Sequence, residues 1–259
     1  MTGDIDGGNV RTEIEVTDRG EIAHLVIDHP QRRNAMGPSV IAALKAAASA
    51  LMDNSDLRVV MLRGCDGIFS AGANVKVMAG LDPEGARAFI TSLHEAIDAV
   101  RNLPVPVIAV LEGRCYGAAM ELAASCDMRI AEAGMIAGMP EVRVGIPSVI
   151  EACLLPRLIG WGRTSELLLT GRDLDAEEAL TIGFVERLST KESLDDYLQG
   201  WIDMILASAP EAVRSQKRVM RGWESNDTAG IEASIQAFSD AYRTDEPASY
   251  LAPLTGKPR

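Results

Sequence analysis

The stretch GIFSAGANVKVMAG, Gly67 to Gly80, separates a strand-like run, LRVVMLRG (57–64), from a helix-like run beyond Pro83. It carries no histidine, no nucleophilic cysteine and no phosphate-loop lysine at Walker spacing. Yet Ala71, Gly72 and Ala73 leave the backbone bare where a loop is ordinarily polar. Such a turn lets peptide N–H groups approach a ligand with little side-chain bulk in the way. A helix opening near Asn74 or Val75 would direct its N-terminal dipole at developing negative charge. Gly117 and Ala118 repeat the arrangement at the head of a second predicted helix. Either turn alone reads as tight packing; two unencumbered N–H donors from two loops are what an oxyanion hole requires.

Outward from that stretch the chain alternates strand and helix signals. EIEV (13–16) and IAHLVIDHP (22–30) predict a hairpin across TDRGE (17–21), stopped by Pro30. PSVIAALKAAASALM (38–52) is alanine-rich with a proline at its start, a helix. GARAFITSLHEAIDAVRNL (85–103) has apolar residues at helical spacing, and Pro104 and Pro106 end it. VPVIAVLEG (105–113) reads as a buried strand, YGAAMELAASC (116–126) as a helix and DMRIAEA (127–133) as another strand. This pattern predicts an α/β protein with ligand loops at strand ends. From about Leu158 the helical signal dominates, and no linker of flexible composition sets that part off as an independent domain. Within it, LLLTGRDLDAEEAL (167–180) predicts a helix stop, a turn and Asp175 as the N-cap of a new helix, scaffold rather than site.

Two glutamates carry the chemistry. Glu121 sits in the predicted helix amid Ala118, Ala119, Met120, Leu122, Ala123 and Ala124, with no polar stripe to share. A carboxylate in so apolar a helix costs several kcal/mol unless paired, shifted in pKa or used. Glu141 follows Pro140 and precedes VRVGIP (142–147), which is strand-like. Alone it reads as a solvated loop residue; its interest is as a second carboxylate, since such pairs divide acid and base roles by environment.

The bulk composition narrows the class. The chain has 259 residues, enough for one large core, and a formal net charge of −12. Only 4% of residues are aromatic, so no stacking platform for nucleic acid is expected, and the acidic net charge repels a phosphate backbone. Cys65, Cys115, Cys126 and Cys153 are scattered without CxxC spacing, which predicts reduced, buried thiols and no metal site. His24, His29 and His94 adjoin no nucleophile motif and are expected to be structural. No run reaches the roughly 18 apolar residues of a membrane span, and the acidic N-terminus has no signal-peptide pattern, so a cytoplasmic protein is expected.

IDHPQRRNAM (27–36), GIFSAGANVKVM (67–78), LEGRCYGAAMELAASCDMRIA (111–131), MPEVRVGIP (139–147) and LPRLIGWGRTSELLLTGRDLDAEEALTIGFV (155–185) together resemble the crotonase, or enoyl-CoA hydratase/isomerase, superfamily over nearly the whole chain. The resemblance implies an α/β spiral of repeated β-β-α units over residues 1–195. It also implies a C-terminal helical trimerisation region over 196–259, in homotrimers or dimers of trimers. It implies an acyl-CoA thioester substrate, no separate cofactor, and an oxyanion hole made by the amides of Ala73 and Ala118. Glu121 would position and deprotonate water, and Glu141 would exchange the proton at Cα. Ala71, Gly72, Asn74, Val75, Tyr116, Gly117 and Pro140 would line the substrate site, while Arg32, Arg33, Ala35 and Lys257 would meet the nucleotide.

Three departures stand out. AGANV (71–75) places Asn74 where the common loop has aspartate, which removes a charge and keeps a capping side chain. GAAMEL (117–122) replaces GGGCEL, and the added methyls would narrow the approach to the oxyanion site. GIPSVIEACLLPRL (145–158) is glycine-poor and places Glu151 where a glycine usually lies beside the active-site water. Glu151 is then either a third active-site carboxylate or a residue that faces solvent or pairs with Arg157. Hydration of a 2-enoyl-CoA leads the functional readings, ahead of double-bond isomerisation and acyl-CoA hydrolysis. A non-catalytic acyl-CoA binder or an RNA-binding relative is the alternative of another class.

Overall fold

The computed structural model describes residues 7–223, 235–236 and 238–256. Strands β1 (Asn9–Thr17) and β2 (Gly20–Asp28) form the expected antiparallel hairpin. Helix α1 (Pro38–Leu51) leads to β3 (Leu57–Gly64), which lies parallel to β2. The short helix α2 (Val75–Met78) and the long α3 (Pro83–Arg101) follow, then β4 (Val107–Leu111), parallel to β3. Asp82 caps α3 by accepting from the Gly85 amide at 2.7 Å, with Pro83 at the first helical position.

Beyond β4 the chain alternates between two sheets, and this alternation makes the spiral. Strand β5 (Arg114–Tyr116) starts a second, small sheet, and α4 (Ala118–Ser125) carries the chain back to β6 (Met128–Glu132) in the first. Strand β7 (Ile136–Gly138) then joins β5 in parallel. Helices α5 (Leu155–Ile159) and α6 (Trp161–Thr170) precede β8 (Asp173–Asp175), α7 (Ala176–Ile182) and β9 (Arg187–Ser189). The main sheet has the order β1-β2-β3-β4-β6-β9 and the small one β5-β7-β8. The segment expected to be a plain turn before Asp175 is thus partly strand, because β7 offers it an antiparallel edge. Asp175 does cap α7, accepting from the Glu178 amide at 2.8 Å.

Central strands β3 and β4 are buried on both faces, as their unbroken apolar sequences require. One face packs on α1, α3 and α4; the other on α8 (Leu194–Ala207), through Leu194, Leu198 and Ile202. Helix α9 (Pro210–Trp223) is held to the core by charge, with Lys217 and Arg221 on Asp127 at 2.7 and 3.0 Å. A final short helix, α10 (Glu246–Leu251), closes near α2. Among the described residues no helix is long and apolar enough to cross a membrane.

Cys115 and Cys126 are buried and Cys65 and Cys153 only partly so; none of the four is in a disulfide. The run VRVGIP is not a strand. Glu141–Val144 forms a 3₁₀ turn closed by Gly145 at φ +80°, with Arg143 N–H bonded to Pro140 O and Ile146 N–H to Glu141 O. Flanking Pro140 and Pro147 and the lack of an adjacent strand edge favour these local bonds over β pairing.

Candidate active site

The two glycine turns meet because of one backbone bridge. Ser70 and Cys115 pair in parallel, and just beyond that bridge Gly72 comes against Tyr116 and Ala118. The approach leaves no room for a side chain: a Cβ on Gly72, whose φ is +89°, would lie 2.3 Å from the Tyr116 carbonyl oxygen and 3.6 Å from the Ala118 nitrogen. On Gly117, at φ +53°, a Cβ would lie 2.2 Å from Glu141 Oε1.

Each turn frees its amide differently. Met36 donates to Gly72 O at 2.8 Å and accepts from Asn74 N at 3.0 Å, an isolated bridge that turns the intervening Ala73 N–H away from it. Ala118 is the first residue of α4, so its N–H has no carbonyl within the helix. Neither amide has a hydrogen-bond partner among the described residues. Asn74 caps α2 by accepting from the Lys76 amide at 3.1 Å, which keeps the role expected of a capping residue there.

Ala73 and Ala118 both line a cavity of about 480 Å³. Ala71, Gly72, Ala73 and Val75 line one side, and Tyr116, Gly117, Ala118 and Glu121 the other; Pro140 and Glu141 border it as well. Its remaining wall is largely apolar: Met78, Phe89, Ile90 and Leu93 from α2 and α3, with Ile146 and Val149. Phe238 and Pro253 of the C-terminal region complete it. Of the methyls expected to narrow the oxyanion approach, only that of Ala118 reaches the cavity; Ala119 and Met120 are buried in the core.

Glu121, 3% exposed, is reached through the first turn of α4, where its amide bonds Gly117 O at 3.0 Å. Burial first, then the charges of Glu141 and Glu151, push its carboxyl well above the usual range, against the Val149 and Ala152 amides that face it. Glu141 is half-buried and accepts from the Ser148 hydroxyl at 3.0 Å. Burial raises it to about 7, opposed by its own amide and by Ser148. Two buried carboxyls that are both raised, one of them by the other's charge, are suited to holding one proton between them.

The other predicted residues fall elsewhere. Glu151 is fully buried and does not line the cavity; neither solvent nor Arg157 is its partner, because His94 Nδ1 lies 2.6 Å from its Oε1. It stands behind Glu121 rather than in the site. Arg32 ends a 3₁₀ turn, Arg33 is exposed and Ala35 is buried, all on the 29–36 loop and outside the cavity lining. Lys257 lies outside the described residues.

Asn34, within the IDHPQRRNAM stretch, braces the first turn. Fully buried at φ +57°, it accepts from the His29 amide and donates to Cys65 O and Ile68 O at 2.9 and 2.6 Å. Its own carbonyl takes the Ser70 hydroxyl at 2.7 Å, and Ser70 Oγ in turn accepts from the Gly72 amide at 3.1 Å. The signal available in sequence was an asparagine in a short loop, a residue tolerant of left-handed backbone.

A spiral that brings two unpaired peptide N–H groups and two carboxyls to one apolar cavity places the chain in the crotonase superfamily. An enoyl-CoA hydratase structure from Bacillus halodurans superposes with a TM-score of 0.86 at 20% identity, covering 93% of this chain and 99% of that one. One from Bacillus anthracis is 28% identical, with a TM-score of 0.79 over 96% of this chain and 97% of that one. The chain belongs to the enoyl-CoA hydratase/isomerase family, whose model matches residues 17–251. Among its relatives are the short-chain-enoyl-CoA hydratase of Clostridium acetobutylicum, 28% identical over 88% of both chains. An enoyl-CoA isomerase/hydratase of Mycosarcoma maydis is 32% identical over 76% of this chain and 75% of its own. The mitochondrial methylglutaconyl-CoA hydratase of Mus musculus is 29% identical over 90% of this chain and 76% of its own.

Proposed function

We propose that this protein is an enoyl-CoA hydratase, adding water across the 2,3 double bond of a 2-enoyl-CoA. The observation that carries this reading is the convergence of Glu121, Glu141 and the free amides of Ala73 and Ala118 on one cavity. The thioester oxygen would accept from both amides, which draws electrons from Cβ. Glu121, as carboxylate, takes a proton from water as its oxygen bonds Cβ; Glu141, as the acid, gives its proton to Cα. Enolate charge formed between the two events rests on the oxygen between the amides, where one such donor is worth roughly 100- to 1000-fold in rate. An isomerase moves one proton between Cα and Cγ and needs a single base, so two carboxyls at one cavity favour hydration.

The apolar wall suits a hydrocarbon acyl group, and the 29–36 loop with Arg32 and Arg33 is the proposed seat of the nucleotide phosphates. Exposed Trp161, Leu169 and Met204, on α6 and α8, support a homo-oligomer, read by light scattering. The direct test is loss of enoyl-thioester absorbance on incubation with crotonyl-CoA. Turnover is expected in the wild type and should fall by about 100-fold or more in Glu121→Gln and in Glu141→Gln. Binding of 2-enoyl thioesters of several chain lengths without turnover of any would overturn the reading.

A further inference from the structure

Glu151 is a buried carboxyl for which the proposed chemistry has no use. It is 0% exposed, its Oε1 is 2.6 Å from His94 Nδ1, and its Oε2 is buried without any hydrogen-bond partner. So costly an arrangement survives only where surrounding structure or function requires it. Its location shows what it acts on. Glu151 lies in the 3₁₀ turn Ile150–Leu154, packed between α3 and α4, and the same loop supplies the Val149 and Ala152 amides that face the Glu121 carboxylate. His94 lies on α3, one residue after Leu93 of the cavity wall.

We propose that His94 and Glu151 form a positioning pair for Glu121: they fasten the amide-bearing loop to the cavity wall and set a buried negative charge behind the reactive carboxylate. The proposal rests on the reading of Glu121 as the group that takes the water proton. The short contact has His94 Nδ1 donating to Glu151 Oε1, and the carboxylate holds the imidazole protonated to higher pH than usual. Charge at Glu151 then makes Glu121 a stronger base than the amides of Val149 and Ala152 alone would leave it.

Burial pushes the Glu151 carboxyl up, and the bond and charge of His94 oppose that and favour its ionised form. On α3, Asp98 and Arg101 act on Glu151 with opposite signs, and Asp98 and Glu95 reinforce the proton on His94. Glu121 is the sole charged residue of α4; Glu141 also acts on it, and Arg143 lines the same cavity. Arg157, the charged residue of α5, faces a separate cavity with Asp127 and Arg129.

The test follows Glu121 by NMR of protein labelled at glutamate Cδ, with the resonance assigned through Glu121→Gln. In Glu151→Gln, which keeps the shape and removes the charge, the titration midpoint of Glu121 is expected to fall by about one pH unit. In His94→Gln it should fall too, because Glu151, deprived of its cation, takes up a proton. Either variant, once shown folded by circular dichroism, suffices; an unchanged or raised midpoint overturns the proposal whatever the activity. The acid limb of kcat/KM, measured on the same variants, should move down with the midpoint while KM stays within about twofold. A midpoint that falls while the acid limb stays in place would leave the pair standing and remove Glu121 from the role of base.

Discussion

The two turns that offer amides to the cavity look alike in sequence, AGAN and YGAA, and are built on opposite principles. The first is held entirely from outside itself. Met36 brackets Ala73 with two backbone bonds, and Asn34 and Ser70 brace the loop from beneath. The second is anchored by one bond, Gly117 N–H to Gly138 O in the small sheet, and the start of α4 leaves the Ala118 amide free by helix geometry alone. An amide freed by long-range bridging depends on distant residues; one freed by a helix end depends on little beyond its own turn. Both carboxyls belong to the second turn, since Glu121 rides on α4 and Glu141 packs against Gly117.

Substituting the two glycines breaks the comparison most directly. Gly72→Ala drives a Cβ into the Tyr116 carbonyl, backbone of the other turn that cannot give way, so both amides move. We expect kcat on crotonyl-CoA to fall about 1000-fold. Gly117→Ala carries a similar left-handed strain, but the Cβ meets only the end of the Glu141 side chain, which can swing aside. A loss nearer 100-fold is expected, and equal losses would show that the turns are equally rigid.

Asn34→Ala sharpens the point about outside support. It removes four side-chain hydrogen bonds, one of them from the Cys65 thiol, and leaves alanine in a left-handed conformation. A loss of about 2–4 kcal/mol in urea unfolding is expected, since the unmade bonds leave buried backbone groups unsatisfied. An unfolding free energy within about 0.5 kcal/mol of wild type would remove Asn34 as the brace of the first turn.

The smallest effect falls on the second carboxyl. Ser148 Oγ donates to Glu141 and favours its ionised form. Ser148→Ala should therefore raise a carboxyl that already titrates at about 7. Glu141 works as the acid, so it would stay active to higher pH, and the alkaline limb of kcat/KM should move up by less than about one unit. A limb that moves down would assign the titration to another group.

Much of this molecule was legible in its residues. Periodicity located helices α1 and α3, because each buries an apolar face that local spacing reveals, and residue types alone marked the β1–β2 hairpin and α4. The small sheet was not legible. Strands β5, β7 and β8 are three residues each, too short for a pattern, and exist only because each finds the others' edges. The same cause misled the reading of VRVGIP, whose β-like composition met no edge and closed into a 3₁₀ turn.

At the site, the sequence by itself determined the chemical parts: two bare glycine turns, a glutamate in an apolar helix, and a second glutamate beside a proline. Glycine at a tight turn and carboxylate among alanines are local anomalies, and local anomalies can be seen without coordinates. Tertiary structure alone decided how those parts meet. The parallel bridge from Ser70 to Cys115 set one turn beside the other, Asn34 braced the first from a distant loop, and His94 moved Glu151 out of the cavity into a buried pair. Each is a contact between residues more than thirty positions apart, formed by backbone edges and buried polar groups whose partners no local pattern encodes.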